Sequence, residues 1–263
     1  MQAIHVLSRQ IYLPGGALNL CEIDGSGPPL LLIHGFSDCA ESYALIAPHL
    51  GDRRLLVPDM RGHGLSFRAD DMSLDALVGD MRAVLAALEI DRIGVIGHSM
   101  GALIALQLAS MEPEKVSRLA LISGSLQPRG PSLAALSAEI AALPTPLRAD
   151  HPFFQSWHHC ERPVPSDFLN WLAASAAQMR RRDWLACLQT LESANLIREA
   201  DRLRMPTLVL SGDKDPIFDT SHQARLAASL PKASHLRYAD LGHNLHWEAP
   251  IEVAKELSAF FQI

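Results

Sequence analysis

Residues 93–101, Ile93-Gly94-Val95-Ile96-Gly97-His98-Ser99-Met100-Gly101, carry the pattern with the clearest chemical meaning. A short apolar run with β-branched residues ends in Gly-His-Ser-Met-Gly, and an Ala/Leu-rich helical pattern follows at once. Strand, sharp turn and helix in that order place a serine hydroxyl at the carboxyl end of a strand and the amino end of a helix. Backbone N–H groups and the helix dipole favour negative charge there. Ser99 must sit on a strained turn, and Gly97 and Gly101 remove the side chains that would collide with it. A serine hydroxyl is a weak nucleophile near neutral pH, so it needs a base, and the base needs an orienting carboxylate.

The base belongs on a loop downstream of Ser99, at the carboxyl edge of the same sheet. Twelve histidines compete. His243, in Leu241-Gly242-His243-Asn244, follows the last apolar strand pattern and precedes the last helix, which is the required position. His246 falls at the start of that helix, His235 opens a strand and His222 lies on a helix. The carboxylate belongs on the turn after the strand ending at Leu210, where Asp213, Asp215 and Asp219 are all candidates. The four cysteines, Cys21, Cys39, Cys160 and Cys187, show no metal or redox spacing and read as free thiols. In His158-His159-Cys160 the residues are adjacent, which rarely lets them converge on one ion, so no metal is expected.

A chain of 263 residues with 48% hydrophobic residues can bury one large core, with or without a small insertion. The net charge of −6 and the lack of clustered basic residues argue against a nucleic-acid partner. Arg180-Arg181-Arg182, the only basic run, reads as a solvated helix face. Residues Met1 to Gln10 carry no apolar core or cleavage site of a secretory signal, and no apolar stretch approaches a membrane span. A cytoplasmic protein, monomer or homodimer, is therefore expected.

The elements that must position Ser99 and His243 follow from periodicity. Residues 4–12 and 18–23 alternate as two antiparallel strands around the Pro14-Gly15-Gly16 turn. Leu30 to Ile33 and Leu55 to Val57 are continuous apolar runs, as in strands buried on both faces of a parallel sheet. A helix is predicted near 40–49 and another over 73–88, followed by the strand before Ser99 and one at Leu119 to Ile122. From Leu126 to about Leu203 only helical patterns, prolines and aromatics occur. The alternation resumes at Pro206 to Gly212, with a helix at 221–230, a strand at 235–239 and a last helix at 247–261. Strands alternating with helices mean βαβ units with helices on both faces of the sheet.

Together these motifs resemble the α/β-hydrolase superfamily. His34-Gly35, Asp59-x-Arg61-Gly62-His63-Gly64-x-Ser66, Gly97-x-Ser99-x-Gly101, Gly212-x-x-Asp215 and Gly242-His243 occur in that family's order, across about 3–125 and 204–262. The resemblance implies a mostly parallel eight-stranded sheet, a core of 1–125 and 204–263, and an all-helical cap at 126–203. It implies Ser99 as nucleophile, His243 as base and Asp215 as the acid, leaving Asp213 as a turn residue. The chain carries Phe218-Asp219 where relatives often have a second proline. The resemblance also implies an oxyanion hole from the backbone N–H groups of Phe36 and Met100, with His34 bracing that loop. Asp59, Arg61 and His63 then belong to a structural loop. Serine rather than aspartate at the turn argues against dehalogenase and epoxide-hydrolase relatives. The expected substrate is a small ester or lactone with an apolar group, held by cap aromatics such as Phe154, Trp157 and Trp184, with no cofactor. Carbon–carbon bond hydrolysis, acyl transfer or perhydrolysis on the same triad, and a ligand receptor of the same fold, are the alternatives.

Overall fold

The computed structural model describes residues 6–262. The N-terminal strand expected from residue 4 begins at Val6; residues 4 and 5 lie outside the described residues. Strand β1 (Val6–Leu13) turns through Pro14-Gly15 into β2 (Gly16–Ile23), and the two pair antiparallel with Leu13 opposite Gly16. The remaining strands are β3 (Gly27–Ile33), β4 (Arg53–Pro58), β5 (Ile93–His98), β6 (Val116–Ile122), β7 (Thr207–Gly212) and β8 (Ala233–Tyr238). They form one eight-stranded sheet in the order β1-β2-β4-β3-β5-β6-β7-β8. From β4 across to β8 every pairing is parallel. The sequence expectation of a mostly parallel sheet is met.

The continuous apolar runs serve two faces at once. Leu31, Ile33, Val95, Leu119, Leu121 and Val209 point to one hydrophobic cluster. Their chain neighbours Leu30, Leu32, Ile96, Ala120, Ile122, Leu208 and Leu210 point to the other. This is the period of two of a pleated strand buried on both sides. Helices α1 (Leu74–Ala87) and α2 (Met100–Met111) cover the first face through Leu77, Val84, Leu103 and Leu106. The C-terminal helix covers the second through Val253, Leu257 and Phe261.

Between β6 and β7 run five helices: α3 (Pro131–Ala142), α4 (Phe153–Trp157), α5 (Ser166–Ala176), α6 (Arg181–Ser193) and α7 (Ile197–Arg202). Their apolar residues Leu133, Ile140, Phe153 and Trp184 join the cluster that packs α1 and α2, so the excursion shares a core with the sheet. The arginine run at the start of α6 is not merely solvated. Arg180 pairs with Asp183 at 2.7 Å and donates to the carbonyl of Ala69, and Arg182 pairs with Asp70 at 2.8 Å.

Two expected helices are broken. The segment near 40–49 forms two 3-10 turns, Ala40–Tyr43 and Ala47–His49, because Pro48 has no N–H to continue a helix. The last helix divides into α9 (Leu245–Glu248) and α10 (Pro250–Phe261), after the short α8 (Thr220–Ala228). Ala249, held out of the helical region by the proline that follows it, makes the break at φ −141°. No described helix is long and apolar enough to cross a membrane.

Candidate active site

Ser99 lies between β5 and α2 with φ 52° and ψ −116°, a strained conformation for a non-glycine residue. The turn is possible because its flanks are bare. A side chain on Gly97 would strike the carbonyl of Gly101, and one on Gly101 would strike the carbonyls of Ile33 and His34. The tight approach of α2 to β3 is therefore what the two glycines permit.

Ser99, His243 and Asp215 come together from three sheet connections. The Ser99 hydroxyl stands 2.9 Å from His243 Nε2, and His243 Nδ1 stands 2.8 Å from Asp215 Oδ2. The other carboxylate oxygen of Asp215 accepts from the N–H groups of Ile217 and Phe218 at 2.8 and 2.9 Å, which leaves Oδ2 for the imidazole. All three side chains are buried. Three of the competing residues are occupied elsewhere, and His246 is fully buried with neither ring nitrogen bonded among the described residues. Asp213 pairs with Arg237 on the surface at 2.9 Å, Asp219 caps α8 through the N–H groups of Ser221 and His222, and His235 bonds Ser211.

The backbone around His243 is clamped. Its carbonyl accepts from Ser123 Oγ at 2.8 Å and lies 3.2 Å from His98 Nε2. The preceding Gly242 N–H donates to the buried Glu248 carboxylate, whose pKa burial pushes up. Sequence reading passed over Glu248 and Ser123, because nothing local marks a glutamate on the last helices as a partner of a loop.

Phe36 follows β3, and Met100 is the first residue of α2. Among the described residues neither N–H engages a backbone or side-chain acceptor. The first N–H groups of any helix lack intrahelical partners. His34 holds this loop as expected: its Nε2 accepts from the N–H of Met60 at 3.0 Å, and its Nδ1 faces the Gly35 carbonyl at 2.8 Å. Asp59 accepts from Ala40, Leu65 and Asn19, and Arg61 grips Asp80 with two bonds of 2.6 Å. Burial lowers the pKa of His63 to about 3. These residues brace the loop away from Ser99. Cys39, Glu41 and Asp59 approach one another within 4.8 Å, yet Asp59 spends both oxygens on those three donors, which makes it a poor metal ligand.

The cavity beside Ser99 and His243 encloses about 20 Å³, room for roughly one water. Phe36, Trp157, Ile217 and Trp247 form its apolar wall, and Asp38, His98, His158 and Asn244 its polar one. Of the three cap aromatics expected at the substrate, only Trp157 borders this cavity. Its indole N–H donates to Ser37 Oγ at 2.8 Å, which ties α4 to the loop of Phe36. Trp184 is a correction: it is 2% exposed and packs edge-on against Phe36 at 5.1 Å and Phe153 at 5.8 Å. Phe154 is a second: it borders a separate cavity of about 350 Å³ between α4 and α5, which His158 also lines. Neither faces the cavity because the rings of α4 and α6 pack on one another, Trp184 against Phe153 at 5.8 Å and Phe154 at 6.5 Å.

The class follows from this architecture and from sequence comparison: the chain belongs to the α/β-hydrolase fold family, which it matches over residues 28–250. It is 38% identical over 125 residues to the 2-hydroxymuconate semialdehyde hydrolase of Pseudomonas sp. (strain CF600), covering 45% of this chain and 44% of that one. It is 27% identical over 247 residues to Lipase 1 of Psychrobacter immobilis, covering 90% and 78%. The crystal structure of the enol-lactonase from Burkholderia xenovorans LB400 superposes with a TM-score of 0.83 at 20% identity, covering 96% and 99%, a likeness of fold. A 103-residue stretch is 40% identical to uncharacterised mycobacterial proteins, where the match spans 30% of their length.

Proposed function

We propose that this chain is a serine hydrolase that cleaves a carboxylic ester or lactone through an acyl-enzyme. The observation that carries this reading is the relay Asp215–His243–Ser99, at 2.8 and 2.9 Å, on a strained turn beside two uncommitted N–H groups. In it, Ser99 Oγ attacks the carbonyl carbon while its proton passes to His243 Nε2. Asp215 stabilises the imidazolium and holds its tautomer. The N–H groups of Phe36 and Met100 take the oxyanion, each worth on the order of 3 kcal/mol. His243 then protonates the leaving alcohol. A water that gives its proton to His243 attacks the acyl-enzyme, and His243 passes that proton to the departing Ser99 Oγ, which releases the acid and free Ser99.

The relatives named as a lipase and an enol-lactonase support this class. The 2-hydroxymuconate semialdehyde hydrolase match favours a second reading, carbon–carbon cleavage on the same residues. Against it stands the oxyanion loop Gly35-Phe36-Ser37-Asp38, less glycine-rich than is common in such relatives. The four free thiols, two of them buried, support a reducing compartment, the cytoplasm.

The test is hydrolysis of p-nitrophenyl esters of increasing acyl length by the wild type and by Ser99→Ala. The expected outcome is turnover by the wild type and a loss of ~10⁴-fold or more in kcat for the variant. Equal turnover by both would remove Ser99 from the site. No turnover by either would move the reading to carbon–carbon cleavage or a receptor.

A further inference from the structure

Asp38 is an anomaly in a site built for a neutral ester. It lies in the loop that carries the Phe36 N–H and is 4% exposed, and it faces the cavity beside Ser99. Among the described residues no donor comes within hydrogen-bonding distance of its carboxylate. His98 Nδ1 stands 3.8 Å from Oδ2, beyond a hydrogen bond. A β-carbon added to Gly35 would come within 2.9 Å of Asp38 Oδ2 and 2.8 Å of His98 Nδ1, so both groups lie directly over the loop backbone.

His98 does not meet this carboxylate's need. Its Nε2 is the atom near the His243 carbonyl and must carry the proton to bond it. Burial holds the His98 pKa below its ordinary value against the pull of Asp38, and with its proton on Nε2 the ring offers this carboxylate no N–H. His158 borders the same cavity, is 5% exposed, and has an Nε2 without a partner. Its ring is fixed between Phe154, stacked at 5.6 Å, and Trp247, edge-on at 6.0 Å. A buried carboxylate and a buried imidazole nitrogen left unpaired each cost free energy that a bound group can recover.

We propose that Asp38 and His158 form a polar subsite that binds a hydroxyl group of the substrate. A hydroxyl donates to the Asp38 carboxylate and accepts from His158 Nε2–H, so it satisfies both at once. An ammonium only donates, and it would face the imidazolium that forms on His243 during the reaction. This deepens the hydrolase reading and rests on it: the substrate is a hydroxylated ester or lactone, with the hydroxyl on either the acyl or the alcohol portion.

Two matched pairs test the subsite and separate those sources. One compares p-nitrophenyl 3-hydroxybutyrate with p-nitrophenyl butyrate, the other 2-hydroxyethyl butyrate with ethyl butyrate. The wild type is expected to favour the hydroxylated member of one pair by about 10²-fold or more in kcat/KM. Asp38→Asn and His158→Phe should each shrink that ratio by about tenfold, on proteins whose thermal midpoints show them folded. Ratios near one in both pairs overturn the subsite while leaving the serine-hydrolase reading intact. So does a ratio unchanged in both variants, or a preference for p-nitrophenyl 3-aminobutyrate over the hydroxy ester. If the wild type turns over neither pair, the hydrolase reading fails and binding decides the subsite. Quenching of Trp157 and Trp247 in Ser99→Ala by methyl 3-hydroxybutyrate, but not by methyl butyrate, then supports it, and equal quenching overturns it.

Discussion

Asp215 illustrates how much one side chain's surroundings determine. Two backbone N–H groups hold Oδ1, so only Oδ2 is left for His243. In Asp215→Asn the amide oxygen keeps the backbone donors, which forces the NH₂ toward His243 Nδ1. The imidazole must then carry its proton on Nε2, where it cannot accept one from Ser99. The expected result is a loss of ~10⁴-fold in kcat at unchanged thermal midpoint. A loss under tenfold in steady-state kinetics would show that Asp215 does not set the tautomer. Ser99 and His243 were legible in the sequence because glycines and element order mark them, and the choice of Asp215 among three aspartates came from family resemblance. Asp38, His98 and His158 carried no such mark. Their meaning lies in the atoms that lack partners among the described residues, the Asp38 carboxylate, His98 Nδ1 and His158 Nε2, and no spacing in the chain encodes that.

At the scale of elements, ester hydrolysis as proposed requires α4 to move. A cavity of about 20 Å³ does not admit an acyl chain, and Trp157 closes one side of it. Its tie to Ser37 Oγ, 2.8 Å long and partly buried, is worth about 1 kcal/mol, or roughly fivefold in an open-to-closed ratio. Ser37→Ala is expected to lower KM for long-chain esters by about fivefold with little change in kcat. An unchanged KM in the same assay would mean that substrate enters by another route, such as the cavity between α4 and α5. The helices of this excursion were legible as helices from their apolar spacing. Which aromatic meets the cavity was not, because Trp157 and Trp184 differ only in what neighbouring helices put against them.

Across the whole molecule, histidines are buried where the core needs neutral rings. Burial lowers the pKa of His63 to about 3 and also lowers those of His98, His158 and His246. The unfolded chain takes up protons on these rings near pH 6.5, while folded His63 does so only near pH 3. Their contribution is therefore complete above pH 6.5 and falls as the pH drops below it, by up to ~1.4 kcal/mol per pH unit for each ring. His63→Asn, whose amide nitrogen can replace Nδ1 on the Arg61 carbonyl, should flatten that fall. Urea unfolding at pH 6.5 and pH 4.5 should show a difference about 2 kcal/mol smaller in the variant than in the wild type. An identical pH dependence would place the proton uptake elsewhere.

By itself the sequence determined the layers and the order of the chain. Apolar runs with a period of two, glycines flanking Ser99 and turns before His243 are local signals, and backbone geometry reads them the same way wherever they occur. Tertiary structure alone decided which aromatics face the cavity and which carboxylate is left without a donor. Those outcomes depend on atoms distant in the chain. Trp157 meets Ser37 across 120 residues, and the carbonyl of His243 meets Ser123 across another 120, so only packing brings the partners together or withholds them.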